Sequence, residues 1–183
     1  LMSNIKTKNV FKNKKLKLIN VGRLTDQKNQ ILILKAINFL KDKLNLYLVI
    51  LGKGKNYNML KNYINQNKLN NIVKLLGYKK NPYPYIKQSD IFILSSDYEG
   101  SPNVLIEAMY LKKSIISTRC PTGPREILKE GKLGNLIRVN NHNDLIKALY
   151  KFKKKKSIVD NAYKTLSNYN VKKNCEKYLN LVK

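Results

Sequence analysis

The stretch Asp90–Leu111, DIFILSSDYEGSPNVLIEAMYL, changes its periodicity halfway along. DIFILSS is a short apolar run of strand length, whereas PNVLIEAMYL sets Val104, Leu105, Ala108 and Leu111 at helical spacing. Pro102 suits the first helical position, where its missing N–H costs nothing, and Ser101 suits the cap before it. The stretch reads as strand, loop, helix.

The same alternation runs through most of the chain. LKLINVG is a strand ending in Gly22, and NQILILKAINFLKDKL is a helix because Leu32, Ile33, Ala36, Ile37 and Leu40 recur on one face. LYLVILG, IVKLLG, SIISTR and GNLIRV read as further strands, with NYNMLKNYINQN, YPYIKQS and GPREILKE as the helices between them. Strands alternating with helices require right-handed crossovers and a parallel sheet covered on both faces. The expected fold is therefore α/β, a Rossmann-like doubly wound parallel sheet with a helical C-terminal cap. Residues 1–15 are polar and basic and are expected to be a linker or interdomain segment. Residues 16–150 are expected to form the domain, and 151–183 its C-terminal helices, within NDLIKALYKFKKKK, SIVDNAYKTLSNY and VKKNCEKYLNLV. The chain opens on Leu1, which reads as a piece cut from something longer.

Composition narrows the chemistry. A chain of 183 residues, 43% of them hydrophobic, can bury one sizeable core. One His, His142 in a polar turn, and two distant cysteines, Cys120 and Cys175, can build neither a His-based metal site nor a Ser-His-Asp triad. The cysteines read as free thiols of a reducing compartment, and the apolar runs are too short to span a membrane. The expected location is cytoplasmic. Lys and Arg number 37 against 11 acids, a net charge of +26, which attracts anions at long range. Two accounts of that excess stand side by side: an anionic partner, or A/T-rich codons that also explain the abundant Asn, Ile and Tyr. Only KFKKKK, Lys151–Lys156, forms a block.

In an open parallel sheet, ligands bind beyond the carboxyl ends of the strands, so the residues just after each strand carry the information. After the first come Gly22, which permits a tight turn, and Arg23 and Lys28, a guanidinium and an ammonium suited to a diphosphate or simply two solvated cations. After the second, GKGK lacks the third glycine of a dinucleotide fingerprint and reads as a tight turn with close backbone approach. In the opening stretch, the N–H groups near Asn103 and Val104 would accept a phosphate. Glu99 in the loop and Glu107 one helical turn in are separated by seven residues. So placed, they can accept hydrogen bonds from sugar hydroxyls, Glu99 from a hexose and Glu107 from a ribose. Each also has a plainer reading as a surface acid.

The ordered set GRLTDQKN, LGKGK, SSDYEGSPNVLIEAM and STRCPTGPREIL resembles the C-terminal half of glycosyltransferase family 4, retaining enzymes of the GT-B fold, over roughly residues 16–150. The resemblance implies a nucleotide-sugar donor lobe. Arg23 and Lys28 would hold the donor diphosphate and replace a metal in neutralising it, with Glu99 on the transferred sugar; these are the implied catalytic residues. Glu107 would take the ribose, the N–H groups of Asn103, Val104 and Leu105 a phosphate, and backbone at Gly22, Gly52, Gly77 and Tyr78 would flank turn and base. Gly100 and Ser101 complete the implied donor contacts, although Ser101 stands where many members carry an aromatic residue. The family uses a nucleotide-sugar co-substrate, here expected to be a UDP-sugar, generally without a metal, and a sugar or lipid-linked acceptor in cell-surface polysaccharide or oligosaccharide synthesis. The acceptor lobe of a GT-B enzyme would precede this chain, so the isolated chain is expected to transfer little or no sugar.

Two other readings compete. A nucleic-acid-binding or membrane-associated basic module fits the charge, but the tyrosines fall inside amphipathic helices and form no stacking platform, so nucleic acid is not the expected partner. Peripheral contact with an anionic membrane stays open. A GT-B epimerase would share the nucleotide contacts but expects catalytic acids and histidines that this chain lacks.

Overall fold

The computed structural model describes residues 9–11, 16–153 and 155–166. Six strands form one sheet: β1 Leu16–Val21, β2 Leu46–Leu51, β3 Val73–Leu75, β4 Ile91–Leu94, β5 Ser114–Thr118 and β6 Asn135–Ile137. Among the described residues seven α-helices accompany them: α1 Gln30–Leu40, α2 Tyr57–Gln66, α3 Tyr83–Gln88, α4 Asn103–Tyr110, α5 Pro124–Ile127, α6 His142–Tyr150 and α7 Lys156–Lys164. The sheet order is β3-β2-β1-β4-β5-β6, and every neighbouring pair is parallel. Strand order reverses between β1 and β4, which places the crevice of a doubly wound sheet at their carboxyl ends.

Both faces of the sheet are covered, and the strands show how. Leu18, Leu48, Ile50, Ile91 and Ile93 point to one side, into a core with Ile33, Ile37 and Leu40 of α1, Leu60 and Ile64 of α2, and Leu145 and Leu149 of α6. Ile19, Val49, Leu51, Phe92 and Leu94 point to the other, against Leu105, Ala108 and Met109 of α4 and Ala162 of α7. A strand buried on both faces has no polar positions to alternate with, which is why LYLVIL and IFIL are unbroken apolar runs. Each Leu, Ile, Val, Phe or Met side chain among them, at or near zero exposure, contributes roughly 1.5–3 kcal/mol relative to remaining in water.

The β1–β4 seam is stitched along its length. The Lys17 N–H donates to Asp90 Oδ2 at 2.9 Å, the Asp90 N–H returns to the Lys17 carbonyl at 2.8 Å, and Asn20 Nδ2 donates to the Ile93 carbonyl at 2.9 Å. Phe11, within the stretch expected to be a linker, is buried and meets the Tyr47 ring edge-on at 6.2 Å.

Three local readings shift. Helix α4 starts at Asn103, with Pro102 in the cap position at ψ 88° and no capping side chain. Ser101 therefore caps nothing. His142 is the first residue of α6 rather than a loop residue, because Asn141 Oδ1 accepts the Asp144 N–H at 3.0 Å and starts the helix there. Finally, α6 ends at Tyr150, and helix resumes only at Lys156. Of the lysine block, Lys151 thus follows α6, Lys155 takes the cap position of α7 and Lys156 is its first residue. The last expected helix, VKKNCEKYLNLV, and Cys175 lie outside the described residues, while Cys120 is a buried free thiol.

Candidate functional site

At the carboxyl ends of β1, β2 and β3 the backbones touch. Gly52 has φ +151°, and a Cβ there would lie 1.8 Å from the Gly22 carbonyl oxygen. The Gly22 N–H donates to the Leu51 carbonyl at 3.0 Å and the Gly52 N–H to the Gly77 carbonyl at 2.9 Å. Gly22, Gly52 and Gly77 thus stand in a row, with Tyr78 exposed beside them and Lys53 Nζ 5.6 Å from its ring centroid. The close approach expected of GKGK is therefore to the protein's own backbone.

The β1–α1 connection makes a 3-10 turn over Asp26–Lys28 and then passes through Asn29 in the left-handed region, φ 45° and ψ 48°, a conformation that Asn tolerates better than most residues. This turn points Lys28 into the β1/β4 crevice. Its Nζ lies 2.5 Å from Glu99 Oε1, with the two side chains 17% and 7% exposed. Ser96 Oγ donates to the same oxygen at 2.6 Å. A pair so shielded from water is far less screened than a surface one.

Around this pair the two loops are zipped together. The Asp97 N–H donates to the Gln27 carbonyl at 2.8 Å, Gln27 Nε2 to the Tyr98 carbonyl at 3.0 Å, Ser95 Oγ to the Lys28 carbonyl at 2.7 Å, and Asn29 Nδ2 to Asp97 Oδ1 at 2.7 Å. From the β5 side, Thr118 Oγ1 and Cys120 Sγ both donate to the Ser96 carbonyl, at 2.6 and 3.2 Å. Thr122 Oγ1 donates to the Glu99 carbonyl at 2.6 Å. Gly123 packs so tightly that a Cβ would lie 2.1 Å from the Gly100 carbonyl oxygen.

The expected site residues separate into groups. Lys28 and Glu99 meet directly, which neither motif foretold. Arg23 is exposed at the same strand end, and its guanidinium has no partner among the described residues. Gly100 and Ser101 are exposed in the loop that follows Glu99. Glu107, one turn into α4, is partly buried; burial pushes its carboxyl above the ordinary range, against a smaller downward pull from the Tyr83 hydroxyl at 3.5 Å. The Leu105 N–H already donates to the Pro102 carbonyl at 2.9 Å, leaving Asn103 and Val104 as the free donors of that turn. Ser96, Thr118 and Thr122 were not legible as site residues, because hydroxyls at strand ends carry no spacing signal.

Among the described residues no cluster of His, Cys, Asp and Glu could hold a metal ion. A cavity of about 780 Å³ opens elsewhere, where β5 and β6 meet α6 and α7, lined by Ile115, Leu136, Lys147, Ile158 and Val159 among others. Its acids are already committed, Asp144 to Arg138 and Glu130 to Arg125. Chemistry, rather than open volume, singles out the β1/β4 crevice.

Known proteins share parts of this sequence and this fold. The chain is 46% identical over 122 residues to an uncharacterized glycosyltransferase of Methanocaldococcus jannaschii, covering 66% of this chain and 30% of that protein. It is 35% identical over 132 residues to an N-acetylgalactosaminyltransferase of Campylobacter jejuni named for a diphospho-undecaprenol-linked sugar, covering 72% of this chain and 36% of the relative. The chain thus spans about a third of the length of these curated relatives. The fold matches the crystal structure of Staphylococcus aureus TarM bound to UDP with a TM-score of 0.82 and 22% identity, over 97% of this chain and 37% of TarM. It also matches Anabaena HepE bound to UDP with a TM-score of 0.75 and 21% identity, over 84% of this chain and 44% of HepE. The sheet is accordingly that of one Rossmann-like lobe of a GT-B glycosyltransferase. The family model described as glycosyl transferases group 1 matches residues 2–173, and the chain belongs to that family.

Proposed function

We propose that the β1/β4 crevice binds a nucleotide-diphosphate sugar, with a UDP-hexose as the donor class, and that the chain is the donor lobe of a retaining hexosyltransferase. The observation that carries this reading is the meeting of Lys28 and Glu99 at the strand-order reversal, with Arg23, which has no partner among the described residues, at the same strand end. A cation and a carboxylate held together there suit the junction of a donor, where diphosphate joins sugar. Arg23 and Lys28 neutralise the charge that grows on the departing diphosphate. Glu99 accepts a hydroxyl of the hexose, Glu107 accepts from the ribose, and the N–H groups of Asn103 and Val104 face a phosphate. Gly52, Gly77 and Tyr78 flank the base.

Relatives that act on undecaprenol-linked sugars or in capsular polysaccharide synthesis support a lipid-linked or polysaccharide acceptor. UDP in the TarM and HepE structures supports the base. A lobe that spans about a third of its relatives leaves the acceptor side to another segment, so the 183-residue chain turns over little or no UDP-sugar alone.

Calorimetric titration with UDP, GDP, ADP and their hexose conjugates tests the reading. UDP compounds are expected to bind, with unchanged affinity in a metal chelator. Arg23→Ala and Glu107→Ala should each weaken binding about tenfold or more, as loss of a charge-assisted hydrogen bond does. The reading fails if no nucleotide binds or if both variants bind as tightly as the parent.

A further inference from the structure

We infer that Ser96 is a positioning residue: it locks the Glu99 carboxylate so that Oε2 alone meets the sugar. This rests on the donor-site reading above. Ser96 is fully buried at the end of β4, and its hydroxyl donates to Glu99 Oε1 at 2.6 Å. Its backbone is held in turn, because Thr118 Oγ1 and Cys120 Sγ both donate to its carbonyl. The hydroxyl is therefore a fixed donor, tied to β5 through two side chains.

Lys28 Nζ reaches the same Oε1 at 2.5 Å. An ionised carboxylate accepts at about two sites per oxygen, so Oε1 is filled by these two donors. Among the described residues none donates to Oε2. One oxygen is spent on orientation and the other is left for a ligand hydroxyl, or for two neighbouring hydroxyls sharing it.

The two donors do different work. An ammonium is a point charge with no angular demand, so Lys28 alone would let the carboxylate turn and follow it toward the diphosphate. The Ser96 hydroxyl supplies the second, directional contact. Removing it should cost recognition of the sugar more than recognition of the nucleotide, which Arg23, Glu107 and the α4 N–H groups hold independently.

The readout is the ratio of UDP-hexose affinity to UDP affinity, measured by calorimetry on the whole chain. Ser96→Ala is expected to lower that ratio about tenfold, the size of a lost hydrogen bond to a charged group. Ser96→Thr, which keeps the hydroxyl, should restore it to within about threefold. Thr118→Val, which removes the shorter of the two hydrogen bonds to the Ser96 carbonyl and leaves the Ser96 hydroxyl in place, should shift the ratio in the same direction by less. An unchanged ratio in both Ser96→Ala and Thr118→Val overturns the inference, as does an equal loss of UDP and UDP-hexose binding, which is what a purely structural serine would give. Absence of UDP binding by the parent chain overturns the donor-site reading itself, and is distinguishable because it precedes any variant.

Discussion

Glu107 illustrates what a half-buried acid costs a fold. Burial on α4 disfavours its charged form and raises its carboxyl above the ordinary value of 4.5. The sign of the pH dependence follows. The folded state holds this proton more tightly than the unfolded state, so the group does not oppose folding below the ordinary carboxylate range. Its cost enters as pH rises through the raised value. Glu107→Gln should therefore raise the melting temperature at about pH 8, with the gain shrinking toward zero near about pH 4. A melting temperature that falls at both pH values would contradict this. The same substitution should weaken nucleotide binding, the exchange of stability for function that buried acids at binding sites commonly represent. Lys28 and Glu99 differ in kind, since each supplies the charge that the other would otherwise lack inside the crevice.

Among the elements, the loops after β4 and β5 are joined by contacts only glycine allows. Gly123 sits at φ +78°, and a Cβ would meet the Gly100 carbonyl oxygen at 2.1 Å and Pro102 Cδ at 2.7 Å. Gly123→Ala should cost about 2 kcal/mol or more, from backbone strain and displaced backbone together. It should weaken nucleotide binding as well, because the displaced segment runs from Glu99 to α4. Chemical denaturation and calorimetry on one variant check both; a stable variant with normal binding would show that the loops are not coupled. The fold was legible at this scale because each strand and helix declares its period locally: IFIL and LYLVIL as doubly buried strands, and Leu32, Ile33, Ala36, Ile37 and Leu40 as one face of α1. The boundaries were less legible. Pro102 lies in the cap position instead of the first turn, since its ψ of 88° is not helical. The site was half legible. Arg23, Lys28, Glu99 and Glu107 stood out by charge and spacing, whereas the Lys28–Glu99 pair and the Ser96–Thr118 support depend on a strand order no local window contains.

For the whole molecule the open matter is a net charge of +26. Lysines stand at both ends of the sheet: Lys53, Lys55 and Lys80 follow strands, while Lys43, Lys68 and Lys112 follow helices and Lys87 lies in the last turn of α3, all exposed. Alternating crossovers deliver them to both ends, so they form no single stripe. Replacing Lys153, Lys155 and Lys156 by Glu is thus expected to change binding to anionic vesicles by less than about twofold at moderate salt, where charges beyond roughly 10 Å are screened. A sedimentation assay that shows binding abolished would instead make that block a membrane-docking element. No described helix is long and apolar enough to cross a membrane.

The β1–β4 seam also sets an order of assembly. Lys28 and Glu99 are 71 positions apart, and Asn20 and Ile93 are 73, so their contacts wait on a long loop closure, whereas β1 and β2 can pair across a single crossover. A chain emerging from the ribosome exposes one bare edge of β1 until β4 follows, an unpaired edge open to wrong partners in the interval. The crevice thus comes into being only when β4 docks on β1, well after the β1–β2 pair it borders.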